Sequence, residues 1–177
     1  MAPSPRAADT SSVRIRPAEP ADATAIAAIH AEGIEERGAT FDLAPDPVDE
    51  LAARIVARDK PFLVAERDGQ VVAWAALSPY STRGVYDGVA ECSLYVTRTA
   101  RAQGVGRRLL DELAAAAERE GIYKLVGKLF PENAPSRRLF ESAGFREVGI
   151  HVRHGTLDGE WRDVLLVERL LGPAAAG

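Results

Sequence analysis

The chain has 177 residues, 46% apolar and 27% charged, with a net charge of −4. That is the length of a single domain able to bury a full core, and the mildly acidic balance gives no basic footprint for nucleic acid. One cysteine excludes an internal disulfide, and three scattered histidines give no metal-ligand spacing.

Residues 1–12 are rich in Pro, Ala and Ser and lack an apolar segment. They read as a loose leader, not a signal peptide. No apolar run approaches the roughly 20 residues that cross a bilayer, and a reducing cytoplasm is the expected compartment. The domain is expected over 13–171, and 172–177 as a frayed tail.

Val13 and Ile15 alternate with Arg14 and Arg16 as a first strand, ended by Pro17. Pro20 and Asp22 open a helix with Ile26, Ile29 and His30 on one face, running towards Gly33. Glu32 to Leu43 loses periodicity and reads as an irregular link. Asp46 and Pro47 restart a helix with Val48, Leu51, Ala52 and Ile55 as its buried stripe. Phe62–Glu66 and Val71–Leu77 form a hairpin about Asp68-Gly69. A polar loop from Ser78 to Gly88 follows, then a strand over Val89–Val96.

That strand runs into Arg101-Ala102-Gln103-Gly104-Val105-Gly106-Arg107, which opens a helix carrying Val105, Leu109, Leu113 and Ala117. Strand, glycine-rich turn and helix make a seat for a phosphate, because glycine lets the backbone approach and the first N–H groups of the helix are free. An ordinary tight turn is the alternative, since short glycine motifs are weak signals. Gly121 is placed to end the helix. A strand over Lys124–Phe130, a helix from Ala134 capped by Asn133, and strands over Arg146–Arg153 and Glu160–Leu170 complete the chain, with Asp158-Gly159 as the last turn.

The order β-α-α-β-β-β-α-β-α-β-β describes a mixed α/β domain with a mostly antiparallel sheet, not a repeated dinucleotide-binding βαβ unit. Arg107 and Arg108 stand where a nucleotide P-loop has Lys and Ser or Thr, so ATP and NAD sites are disfavoured.

The element order together with Arg101-x-x-Gly104-x-Gly106 resembles the GNAT superfamily of acetyl-CoA-dependent N-acetyltransferases. The stretches Ala90-Glu91, Leu94-Tyr95-Val96, Pro131-Glu132-Asn133 and Asp158 to Val164 look like its phosphinothricin acetyltransferase branch. Phe130 to Asn133 and Leu157 to Val164 are most similar to the arsinothricin N-acetyltransferases. The resemblance implies acetyl-CoA as cosubstrate without a metal, and a small glutamate-like amino acid as acceptor. It also implies detoxification as the outcome and a homodimer as the assembly. Another amino acid, an amine, a lysine or a protein N-terminus is the alternative acceptor, and a non-catalytic acetyl-CoA sensor is the third reading.

An ammonium must lose a proton before it attacks a thioester, and a carboxylate can take it. The resemblance places a catalytic or water-binding Glu at Glu91; a surface strand carboxylate is the plain alternative. For the cofactor it carries over the strand backbone of Leu94, Tyr95, Val96 and Thr97, and the turn Ala102, Gln103, Gly104, Val105, Gly106 and Arg107. It also carries over Asn133, which competes with simple helix capping. Arg101 and Arg107 either add charge to the phosphates or are solvated. Phe140 stands where many relatives have a Tyr that protonates the departing thiolate, and neither Tyr95 nor Tyr123 is assigned that role.

For the acceptor, Tyr80, Ser81 and Arg83 lie in a suitable loop, with Arg83 able to grip a carboxylate or oxyanion in bidentate fashion or merely solvated. Thr40 and Phe41 look like the family's lid, with plain packing as the alternative for Phe41. Arg153 and His154 are weaker candidates. Cys92 reads as a small buried hydrophobe.

Overall fold

The computed structural model describes residues 13–57 and 59–176; the expected leader, residues 1–12, lies outside them. The strands are β1 (Arg14–Pro17), β2 (Phe62–Arg67), β3 (Gln70–Pro79), β4 (Val89–Val96), β5 (Lys124–Leu129), β6 (Arg146–Leu157) and β7 (Glu160–Leu170). The helices are α1 (Ala23–Glu35), α2 (Val48–Ala57), α3 (Val105–Arg119) and α4 (Ala134–Ser142). Their order is the one expected. Gly172–Ala176 winds into a 3-10 turn where the sequence suggests a frayed tail.

Local chemistry explains most of the boundaries. Asp68 and Gly69 both take positive φ (51° and 75°), as a two-residue hairpin turn requires. Gly121 and Gly144 close α3 and α4 at φ of 78° and 79°. Pro20–Asp22 forms a 3-10 turn ahead of α1. There the buried Asp22 accepts from Glu19 N at 2.8 Å and from the Arg16 guanidinium at 2.7 and 2.9 Å. That guanidinium holds the Asp22 carboxyl below the usual carboxylate range, against the cost of burial.

Two local expectations are corrected. α1 does not stop at Gly33 but runs on to Glu35. Gly33 is a packing residue, because a Cβ there would lie 2.7 Å from the Tyr95 ring. In α2, Leu51 and Ile55 are buried, but Val48 at the first position is 43% exposed.

Seven strands form one sheet in the order β1-β2-β3-β4-β5-β7-β6. Every pair is antiparallel except β4 with β5. One face packs on α3 and α4 through Leu109, Leu110, Leu113, Leu125 and Leu165. The other packs on α1 and α2 through Ile26, Val64 and Trp74. Full burial of such a Leu or Ile contributes roughly 1.5–3 kcal/mol.

The parallel pair is short. Val89, Ala90 and Glu91 register with Lys124, Leu125 and Val126, and there the ladder ends. β4 stays paired with β3 as far as Val96, opposite Ala73. Beyond Glu91, β4 and β5 therefore part, and among the described residues the β5-facing edge of β4 has no strand partner. Exposed backbone groups of this kind need partners from elsewhere.

Candidate active site

A cleft of about 820 Å³ opens where the two strands part. Its walls come from Leu94, Tyr95 and Val96 of β4, from Arg101, Ala102 and Gly104 to Arg107 in the turn, and from Asn133, Pro135, Ser136, Arg138 and Leu139 at the start of α4. Gly38 and Ala39 of the α1–α2 link close it from above.

The turn is built by backbone conformation. Ala102 and Gly104 take φ of 57° and 78°, which brings the chain around sharply into α3. The first helical ladder bond runs from Arg108 N to Gly104 O at 3.2 Å. The N–H groups of Val105, Gly106 and Arg107 thus precede the ladder, at the positive end of the helix dipole. Gly106 is needed for close approach: a Cβ there would lie 3.1 Å from Leu139 and 3.5 Å from Val96.

The side chains of the turn are largely committed to protein partners. Arg101 donates to Val96 O at 2.9 Å and pairs with Glu36 at 2.9 Å. Burial works against the Glu36 charge, but Arg98 and Arg101 outweigh it and hold its carboxyl below the usual range. Arg107 pairs with Asp111 at 2.8 Å and donates to Ser142 O. Gln103 accepts from Arg67 and donates to Thr99 O, each at 2.8 Å. Arg138 is the cation on the cleft wall that makes no hydrogen bond or ion pair among the described residues. Sequence reasoning missed it; its place one turn beyond the Asn133 cap was the available signal.

Asn133 caps α4, accepting from Ser136 N at 3.1 Å, and donates to Gly38 O at 3.0 Å. It ties the α1–α2 link to the cleft. That link is anchored further by Arg37 to Asp158 and by Arg162 to Arg37 O. Phe41 packs edge-on against Phe130 at 4.9 Å and lies over Gly155, where a Cβ would come within 2.8 Å of its ring. Thr40 contacts the Tyr95 side chain. The link is a strap running from β4, across the end of β5, to the β6–β7 hairpin.

Glu91 stands at the last β4–β5 pair, at the vertex of the opening. Alternation places Glu91, Ser93 and Tyr95 on the α1–α2 face. Its Oε2 accepts from Lys128 Nζ at 2.7 Å, with the two side chains 27% and 45% exposed. Lys128 was also missed. A lysine inside the otherwise apolar run Leu125 to Phe130 was the signal for it.

Tyr95 stacks on Trp74 at 4.9 Å, and burial pushes its phenol up to about 12. Phe140 is a core residue packed on Phe145 and Gly127. Cys92 is buried, its thiol pushed up to about 12 by desolvation and placed 3.3 Å from Val126 O.

The loop after β3 is less organised around the cleft. Ser78 and Pro79 register with Glu91 and Ala90, so the loop begins beside the vertex. Tyr80 meets Tyr86 edge-on at 5.8 Å, and the Arg83 guanidinium lies 5.8 Å from the Tyr86 ring centroid. Ser81 Oγ accepts from Arg83 N at 3.2 Å. Arg83 is exposed and lines neither this cleft nor the smaller cavity, of about 160 Å³, between α1, α2 and Ser93. His154 rests against His151, and Arg153 N donates to Asp163. Among the described residues no His, Cys, Asp or Glu cluster could hold a metal, and no helix is long and apolar enough to cross a membrane.

Residues 28–145 match the model of the acetyltransferase (GNAT) family, a span that includes the whole cleft. The chain is 34% identical to the phosphinothricin N-acetyltransferase of Alcaligenes faecalis over 154 residues, 85% of this chain and 78% of that protein. It is 30% identical to the L-methionine sulfoximine/L-methionine sulfone acetyltransferase of Salmonella typhimurium over 165 residues, 92% of this chain and 96% of that one. Among solved structures, a phosphinothricin acetyltransferase of Sinorhizobium meliloti in complex with acetyl-CoA superposes with a TM-score of 0.86 at 28% identity, covering 94% and 92% of the two chains. A ribosomal-protein-alanine N-acetyltransferase of Brucella melitensis superposes with a TM-score of 0.84 at 33% identity, covering 89% and 99%.

Proposed function

The chain belongs to the GNAT acetyltransferase family and is an acetyl-CoA-dependent N-acetyltransferase, and from that premise we propose that it acetylates the α-amine of a glutamate-like antimetabolite of the phosphinothricin or arsinothricin type. Such acetylation blocks the amine and detoxifies the compound, giving resistance. The observation that carries this reading is Glu91, a carboxylate at the last β4–β5 pair, three residues before Leu94 of the cleft wall, on the strand that leads into the phosphate-seating turn.

Acetyl-CoA supplies an activated acyl group on a thiol that leaves readily, a thiol pKa being about 8.5. In our reading its pyrophosphate lies against the N–H groups of Ala102 to Arg107, with Arg138 as the added cation. Its pantetheine pairs with the free edge of β4 from Leu94 to Thr97, and the Asn133 amide meets the same arm. Arg101 and Arg107 support the turn through Glu36, Val96, Asp111 and Ser142 rather than through the phosphates.

Glu91 acts as general base. It takes a proton from the acceptor ammonium, directly or through water, and the freed nitrogen lone pair forms the new bond to the acyl carbon as the C–S bond breaks. A placed base of this kind supplies typically 10²–10⁴-fold. Phe140 offers no proton, so the thiolate leaves unassisted or is protonated by water.

For the acceptor we assign Tyr80, Ser81 and Arg83 beside the vertex, and Thr40 and Phe41 in the strap above it. A homodimer fits the long outer strand β6, where Ile150 and Val152 are 53% and 71% exposed, beside Trp161 at 64%. The lone buried Cys92 fits a reducing cytoplasm. A protein N-terminus is the competing acceptor, favoured by the likeness to the Brucella enzyme.

Turnover of acetyl-CoA, read as thiol release, decides between them. The panel contains phosphinothricin, arsinothricin, methionine sulfoximine, glutamate and a peptide beginning with Ala. Phosphinothricin or arsinothricin should give the highest kcat/KM. Turnover of the peptide with no α-amino acid accepted would overturn the proposal.

A further inference from the structure

We propose that Lys128 is a positioning residue for acetyl transfer: its ammonium holds Glu91 by Oε2 and leaves Oε1 for the acceptor amine. The inference rests on the reading of Glu91 as the base.

The register isolates this contact. β5 leaves β4 after Val126, so the backbone at Lys128 no longer pairs with β4 and registers only with Leu166 of β7. The opposite face of β5 is closed: a Cβ at Gly127 would lie 2.9 Å from both Phe140 and Val167. Val126 and Lys128 therefore share the face on which Glu91 stands, and the lysine side chain spans the widening gap to reach it at 2.7 Å. The other lysine on this face of β5, Lys124, is taken by Glu168 at 2.8 Å. Glu91 Oε1 has no hydrogen-bond partner among the described residues.

As a stability device the pair is poor. Both side chains are partly exposed, and ordering a long lysine offsets most of what such a pair gains. As a catalytic support it fixes the carboxylate at the vertex, where a small misplacement of a reacting group costs rate steeply. The proton passes from the amine nitrogen to Glu91 Oε1 and on to solvent.

The test uses Lys128→Cys, Glu91→Gln and the double variant, with S-aminoethylation by 2-bromoethylamine to rebuild an ammonium at position 128. Cys92 is buried, its thiol pushed up to about 12, and is shielded from that reagent. Lys128→Cys should lower kcat at least about tenfold, leave the KM for acetyl-CoA within about twofold of the parent and leave the thermal midpoint in place. Aminoethylation should restore most of the rate. In the Glu91→Gln background the same change should have no further effect, because a positioning residue acts through its base. Parent-like turnover of Lys128→Cys beside a slow Glu91→Gln would overturn the inference and leave the base assignment standing. Multiplying losses in the double variant would show Lys128 acting on its own and would also overturn it. Parent-like turnover of Glu91→Gln would remove the base assignment itself, and the inference with it.

Discussion

Asn133 does two jobs that substitution can separate. Its Oδ1 accepts from Ser136 N and its Nδ2 donates to Gly38 O, at 3.1 and 3.0 Å. Asn133→Ala removes both. Loss of an N-cap costs about 1 kcal/mol, and a part-buried carbonyl left without its donor costs about 1 kcal/mol more. A domain of this size shifts by about 2–4 °C per kcal/mol, so Asn133→Ala should melt roughly 4–8 °C below the parent. Asn133→Asp keeps an acceptor for Ser136 N and adds a charge that suits a helix N-terminus, but it cannot donate to Gly38 O. It should fall only about 2–4 °C. Scanning calorimetry checks the midpoints, and urea unfolding with an unchanged m-value confirms that only stability moved. An Asp variant as damaged as the Ala variant would refute this division of roles, and so would two variants that melt with the parent.

Other consequences are equally direct. Gly104→Ala forces a residue with a Cβ to hold φ near 78°; it should cost about 1–2 kcal/mol and raise the KM for acetyl-CoA more than that for the amino acid, as read by steady-state kinetics. Gly33→Ala places a methyl 2.7 Å from the Tyr95 ring; overpacking of this kind costs about 1–3 kcal/mol, and chemical denaturation should show it despite the better helix propensity of alanine. Asp22→Asn removes the charge held by Arg16. The folded-state carboxyl lies below its ordinary value, so its contribution is full above the unfolded-state pKa of about 3.9 and fades as pH falls through the folded value. The stability gap between parent and Asp22→Asn should therefore be steady near neutrality and close in acid; a gap that widened there would reverse the sign.

Much of the fold is legible in the sequence because it is written in local terms. Asp68-Gly69, Gly121, Gly144 and Asn133 each solve a problem within a few residues of themselves, and the structure has each of them where its turn or cap is needed. What was not legible depends on distant partners. Gly33 reads as part of the aperiodic link after the first helix, but its neighbour is Tyr95, on the central strand. For Arg101 and Arg107 the sequence leaves phosphates or solvent open as partners, and the distant groups beside them are Glu36 and the Ser142 carbonyl. The link containing Thr40 and Phe41 looked irregular, and its role as a strap emerges only once Phe130, Gly155 and Asp158 are beside it. Lys128 stands out as a lone charge in an apolar run, but its partner does not: no periodicity within β5 says that β4 ends its pairing at Glu91.

In the proposed reaction one unit, β4 with its turn, both seats the acetyl donor and carries the base. The direct test is Glu91→Gln, measured in two ways on the same preparation. Calorimetric titration with acetyl-CoA should give the parent dissociation constant, because the turn is untouched. Single-turnover acetylation of phosphinothricin should be slower by about 10²–10⁴-fold, the usual share of a general base. A parent rate of acetylation in Glu91→Gln, with binding intact, would contradict the account.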